Sequence, residues 1–241
     1  MNILLPGLEK QLLFLLNNLE TDGLKILVIG SASEEIAKQL AKESNNLVEM
    51  IVEDYDSLMN AKLVCANSDN VNVRIMDFET TDFEDSVFDL VFAQASISDN
   101  RRNKIVKEIK RILKPNAVFC VGEVVKLTEN PPAFVEEIFE SSNLEPLFTE
   151  KLNPYYEERN FEIIKEANFS RTFRDFYSMN IKMLDNSKKE LTDEEKSYYK
   201  KLLNRISHES NAFLKLGADK FIGFKSIILK IGQPTTIKEN N

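Results

Sequence analysis

Histidine is almost absent from this chain: of 241 residues only His208 is one, and cysteine occurs only as Cys65 and Cys120. That set is too small for a Cys/His zinc site or a disulfide framework. Both cysteines fall in apolar stretches and read as reduced core residues. Long apolar runs are missing too. No segment approaches the roughly 20 residues that a membrane span needs, so none is expected. Met1-Asn-Ile-Leu-Leu-Pro6 has no basic region ahead of an apolar one, as a signal peptide would, and the expectation is a cytoplasmic protein. Excess positive charge is the third absence. A net charge of −8 and a pI near 5.0 remove the broad attraction to phosphate backbones, which argues against nucleic acid as a partner.

What is present is 43% hydrophobic residues, enough for a full core, in alternating strand-like and helix-like segments. A helix is expected at about Leu8–Leu19, broken by Thr21-Asp-Gly23. Strands are expected over Lys25–Ile29, Leu47–Val52, Val71–Met76, Phe88–Ala93 and Val118–Val125. Between them lie helices from the Gly30 loop through Lys42, over Ser57–Ala66 and over Arg102–Leu113. Right-handed crossovers turn such a series into an α/β fold, a doubly wound, mostly parallel sheet with helices on both faces. Beyond Val125 the rhythm changes. Helices are expected near Ala133–Glu140, Phe161–Asn168 and Thr192–Leu216, an irregular stretch over Leu144–Tyr156, strands over Ser170–Met179 and Phe224–Ile231, and a disordered tail from Gln233. The expected organisation is therefore an N-terminal helix (1–22), a cofactor-binding αβ core (23–128), a C-terminal helical cap or insertion with terminal strands completing the sheet (129–232), and the tail (233–241). A homo-oligomer stays open.

Candidate binding residues gather at strand ends. Gly30-Ser31 follows the first strand, Glu53-Asp54 closes the second, Asp77-Phe78 the third and Gln94 the fourth. In a doubly wound sheet these loops share one crevice. Glu53 lies 23 residues after Gly30, close to the ~20-residue offset of an acid that grips ribose hydroxyls, and Asp77 is placed to accept from an adenine amino group. Plainer readings stand beside these. Ser31-Ala-Ser-Glu34 is also an S-x-x-E capping box, acids after strands are often solvated helix starts, and Phe83 and Phe88 flank a buried strand as core residues do.

Asp77-Phe-Glu-Thr-Thr-Asp-Phe-Glu-Asp-Ser-Val-Phe-Asp89 with the following Leu-Val-Phe-Ala, and the later Lys107-Glu-Ile-Lys-Arg-Ile-Leu-Lys-Pro115-Asn-Ala-Val-Phe, resemble class I S-adenosylmethionine-dependent methyltransferases. The ubiquinone/menaquinone-type small-molecule branch is the most similar, over about Leu24–Val125. The resemblance implies methyl transfer to a small-molecule acceptor, with S-adenosylmethionine held by Gly30, Ser31, Glu53, Asp54, Asp77, Phe78 and Gln94. The chain also departs from that pattern. The family carries an acid and then Gly-x-Gly-x-Gly after strand one, where Val28, Ala32 and Glu34 replace the acid, the second glycine and the third. Asn116 and Ala117 stand for two further glycines, and no Asn/Asp-Pro-Pro-aromatic motif occupies Gln94–Ser98. A dinucleotide oxidoreductase fits less well, lacking its glycine fingerprint and a Tyr-x-x-x-Lys pair. The alternative of another class is a non-catalytic methyltransferase-like interaction protein with a degenerate cofactor loop. For the acceptor side, Tyr155, Tyr156 and Arg159 suit an aromatic or anionic group, and Tyr155 and Tyr156 are, with His208, the candidate catalytic residues. His208 is the one side chain whose ordinary pKa suits a base at neutral pH, although a surface histidine is its plainer reading.

Overall fold

The computed structural model describes residues 3–190, 192 and 200–232. The continuous apolar runs form the strands Ile26–Ile29 (β1), Val48–Val52 (β2), Val71–Ile75 (β3), Phe88–Gln94 (β4) and Leu113–Lys126 (β5). β1 is buried along its whole length, as a strand covered on both faces must be. Lys10–Leu16 (α1), Glu34–Ser44 (α2), Tyr55–Val64 (α3) and Arg102–Ile112 (α4) supply the first four helices. The second half adds Ala133–Ser141 (α5), Leu147–Phe148 (β6), Leu152–Glu157 (α6), Phe161–Asn168 (β7), Thr172–Glu190 (α7), Lys200–Lys215 (α8) and Ile222–Ile231 (β8).

The sheet runs β3-β2-β1-β4-β5-β8-β7, with β6 beside β5. The pairs among β1 to β5 are parallel, and β8 lies antiparallel between β5 and β7. Strand order reverses between β1 and β4, the switch point at whose carboxyl ends sheets of this kind place their ligand crevice. One face packs α4 and α6 against Phe119, Val121 and Val125. The other packs α1, α2 and α3 against Ile26, Val28 and Cys120. Both cysteines are free and buried, and burial pushes the Cys120 thiol up to about 12.

Three expectations need correction. Phe161–Asn168 is strand β7 rather than a helix, and the segment from Ser170 to Met179 enters helix α7 rather than a strand. Among the described residues β7 pairs only with β8, which makes it an edge strand, and its exposed Glu162, Lys165 and Glu166 are what an edge carries in place of a clean apolar alternation. α7 buries Phe173, Tyr177 and Leu184, spaced at helical intervals, although its aromatic residues suit a strand locally. Leu144–Tyr156 is also more ordered than expected. It holds β6, paired in parallel with Val125 and Lys126, then a 3-10 turn and α6. Most of residues 191–199 and the tail from Gln233 lie outside the described residues, so the helix expected from Thr192 is seen here only as α8. Asn116 does take a left-handed φ of 65°, as the turn beside Pro115 requires.

Candidate active site

Gly30 ends β1 with φ of 120°, and a Cβ there would lie 2.6 Å from Ser96 Cβ, so only glycine fits this turn. Ala32 adopts φ of 58°, the left-handed conformation that a glycine takes without strain. The capping box does not form: Ser33 is the N-cap of α2 without a side-chain bond, and Ser31 Oγ donates to Ser57 Oγ at 2.9 Å. Ser33 Oγ and Glu34 Oε1 are buried at this helix start without a hydrogen-bond partner among the described residues. Such orphaned polar atoms suit a polar group arriving in the crevice.

Asp54 caps α3, accepting from the Ser57 amide at 2.8 Å and the Ser57 hydroxyl at 2.6 Å, and those bonds hold its carboxyl below the usual range. Glu53 beside it is engaged differently. Arg101 donates from Nη1 to Glu53 Oε1 at 2.7 Å and from Nη2 to Glu53 Oε2 at 2.8 Å, while the Phe78 amide donates to the same Oε1 at 3.1 Å. Arg101 also grips Asp99, through Nε at 3.1 Å and Nη2 at 3.0 Å. Asp77 is exposed and closes a turn by accepting from the Glu79 amide at 2.7 Å. Phe78 is buried in the α4-side core.

Gln94 is almost fully buried, and its amide nitrogen donates to the carbonyls of Pro6 and Leu8 at 2.8 and 2.9 Å. Gln11 Nε2 adds a bond to the Ala93 carbonyl, and the Gly7 amide donates to Thr172 Oγ1. Residues 6–11 therefore form a strap over the ends of β4 and β5. Gly122 makes room for it: a Cβ there would meet Gln11 Oε1 at 1.9 Å.

Next to the strap lies a buried polar knot. Glu123 on β5 accepts from Arg102 Nε at 2.8 Å, Tyr156 OH at 2.5 Å and Ser98 Oγ at 3.1 Å. Burial and the Glu123 charge raise the Tyr156 phenol well above its ordinary pKa, and burial pushes Tyr155 up to about 12, so neither phenol serves as a base near neutrality. Tyr155 donates to Asn103 Oδ1 at 3.0 Å, and the Arg159 guanidinium stacks 3.7 Å from its ring centroid. Tyr155, Tyr156 and Arg159 thus join α6 to α4 on one face of the sheet. His208 is exposed on α8, which packs its Ala212 and Phe213 into a different core. The structure does not bring these four together. The basic partners Arg101 and Arg102 escaped the sequence reading, and the signal for them was the unmatched run Arg101-Arg-Asn-Lys104 facing an acidic loop.

A parallel sheet ordered 3-2-1-4-5, continued by an antiparallel strand wedged before the last one, with acids at the ends of β2 and β3, defines a class I methyltransferase-like α/β fold. The chain matches the methyltransferase domain family over residues 20–204, more than half of its length, and belongs to that family. It is a methyltransferase by that membership, which implies S-adenosylmethionine as cofactor. None of the curated proteins matches it in sequence. Among solved structures it is similar to phosphoethanolamine N-methyltransferase 2 of Haemonchus contortus in complex with S-adenosyl-L-methionine (TM-score 0.75, 17% identity, 96% of this chain and 54% of that one). Geranyl diphosphate C-methyltransferase from Streptomyces coelicolor A3(2) is another (0.68, 12%, 92% and 76%). The [4+2]-cyclase SpnF is a third (0.75, 17%, 94% and 81%). At these identities the likeness is one of fold.

Proposed function

We propose that this protein transfers the methyl group of S-adenosylmethionine to a small-molecule acceptor. The observation that carries this is the placement of a turn that only glycine fits at Gly30, of Glu53 and of Asp77 after β1, β2 and β3, three adjacent parallel strands beside the strand-order switch where such a sheet binds its ligand. Glu53 has two oxygens for ribose hydroxyls, Asp77 has an exposed carboxylate for the adenine amino group, and Gly30 with Ser31 lets the chain approach the amino-acid end. Asp54 and Phe78 shape the same walls from beneath, one as helix cap and the other as core. The buried orphans Ser33 Oγ and Glu34 Oε1 are fitting partners for the polar amino-acid end, for which Val28 offers nothing. The bound cofactor supplies an electrophilic methyl on sulfur. The chain's own contribution is alignment and exclusion of water, a geometric effect worth about 7–11 kcal/mol without a dedicated base.

On this reading Gln94 positions the strap rather than touching cofactor. Tyr155, Tyr156 and Arg159 then act as supports of the α4 wall, and His208 lies outside. The second reading, a non-catalytic interaction protein, is favoured by one observation: both oxygens of Glu53 are already held by Arg101. Calorimetric titration with S-adenosylmethionine, S-adenosylhomocysteine and NAD separates the two. The methyl-donor reading expects saturable binding of the first two and none of NAD; binding of none of them favours the interaction protein.

A further inference from the structure

Arg101 opens the basic run that ends at Lys104, and the fold sets it among the acids of the strand ends. Its guanidinium meets acids from three strand ends: Glu53 after β2, Asp99 after β4, and Glu79 after β3, whose Oε1 lies 3.9 Å from Nε. The bonds to Glu53 change what that carboxylate can do. A carboxylate offers about four lone-pair sites, two on each oxygen. Nη1 and the Phe78 amide take both on Oε1, and Nη2 takes one on Oε2. One site is left, whereas gripping two vicinal hydroxyls needs one on each oxygen. Ribose and Arg101 therefore compete for Glu53.

The surroundings let Arg101 leave without being stranded. Asp99 holds Nε and Nη2 and also accepts the Arg101 amide at 2.8 Å, so the residue has a second counter-ion on its own loop. The next residue, Arg102, is pinned into the core by Glu123 at 2.8 Å and by the Glu145 carbonyl at 2.7 Å. The backbone is thereby fixed, and release requires only rotation of a side chain that is about one-third exposed. Resting on the methyl-donor reading, we propose that Arg101 is a latch on the cofactor crevice: it occupies Glu53 until the cofactor's ribose displaces it onto Asp99, and so sets cofactor affinity.

The test is calorimetric titration of the full-length protein with S-adenosylhomocysteine, on wild type, Arg101→Met, Glu53→Ala and the double variant, each checked by circular dichroism. Methionine keeps much of the aliphatic stem and removes the competing charge. Partly exposed ion pairs are worth about 0.2–1 kcal/mol, so Arg101→Met is expected to bind about 1.4- to 5-fold tighter. The gain should vanish in the Glu53→Ala background, which a merely structural role for Arg101 would not produce. In wild type alone, raising salt from about 0.05 to 0.5 M screens the latch and should tighten binding by up to about twofold, so the proposal does not depend on a variant folding. Binding by Arg101→Met but not by wild type would also support the latch. Equal or weaker binding by Arg101→Met beside a binding wild type overturns the latch and leaves the methyl-donor reading standing. Absence of binding in wild type, Arg101→Met and wild type at high salt overturns both.

Discussion

At the carboxyl ends of β2, β3 and β4 three acids surround Arg101, whereas between α7 and α8 Phe173, Tyr177 and Phe213 pack ring on ring with centroids 4.8–5.6 Å apart. The two regions hold themselves together by opposite means. Partly exposed ion pairs contribute little each and can exchange partners, so a ligand with hydroxyls can replace one of them at small cost. Buried rings contribute by area and shape and have no alternative partner to take. Partner exchange is thus open to the strand ends and closed to the ring cluster between α7 and α8. Between them sits Glu123, which is neither exchangeable nor apolar: it is 1% exposed and tied to Arg102, Tyr156 and Ser98.

That intermediate character sets the largest expected effect. Glu123→Ala leaves Arg102 buried without its counter-ion, and breaking a buried pair in this way costs about 3–5 kcal/mol. Urea unfolding should show it, and a loss below about 1 kcal/mol would put Glu123 with the exchangeable pairs. Next comes Glu53→Ala, expected to weaken S-adenosylhomocysteine binding by about 10- to 100-fold, since charge-assisted bonds worth roughly 1.5–3 kcal/mol are lost. Stability should change far less than affinity. An unchanged dissociation constant would break the assignment of the crevice. The third is Gly122→Ala, whose methyl would meet Gln11 Oε1 at 1.9 Å and Phe224 Cζ at 2.4 Å, between strap and cap. Overpacking of this kind costs about 1–3 kcal/mol, and hydrogen exchange should report the strap residues 6–11 loosening first.

The same contrast decides what could be read from the sequence. β1, β2 and β4 were legible because strands buried on both faces leave continuous apolar runs such as Ile26–Ile29. β7 was not, because an edge strand needs only half a face and fills the rest with Glu and Lys. α7 failed in the opposite direction: Phe173, Phe176 and Tyr177 favour a strand locally, and only their packing against Phe213 and Phe224 selects the helix. In the crevice, Gly30 and the acids could be found from spacing. Arg101 could not, because it meets Glu53 across 48 residues and only the fold brings the two together.

The smallest effect is a difference of sign with pH. Burial alone would raise the Glu108 carboxyl, but Arg111 and the Thr81 hydroxyl and amide outweigh it and hold the pKa below its ordinary value. A depressed acid contributes stability above the unfolded pKa of about 4.3 and loses it as pH falls through the lower folded value. Glu209, between α8 and α5, is shifted the other way: burial dominates, its bond from Ser142 Oγ only partly compensates, and the pKa is raised. Its charged form opposes folding at neutral pH, and that opposition disappears as pH falls through the raised folded value toward the unfolded one. Thermal unfolding of Glu108→Gln and Glu209→Gln from pH 7 to pH 3.5 should therefore give opposite differences from wild type. Glu108→Gln is expected to melt below wild type at pH 7, with the gap narrowing only below about pH 4. Glu209→Gln should melt at or above wild type at pH 7, with its advantage already gone by about pH 4.3. Each difference should stay within about 2–4 °C, the shift that 1 kcal/mol makes in a chain of this size. Matching signs would mean that α8 buries its acid no differently from the ion-paired face of α4.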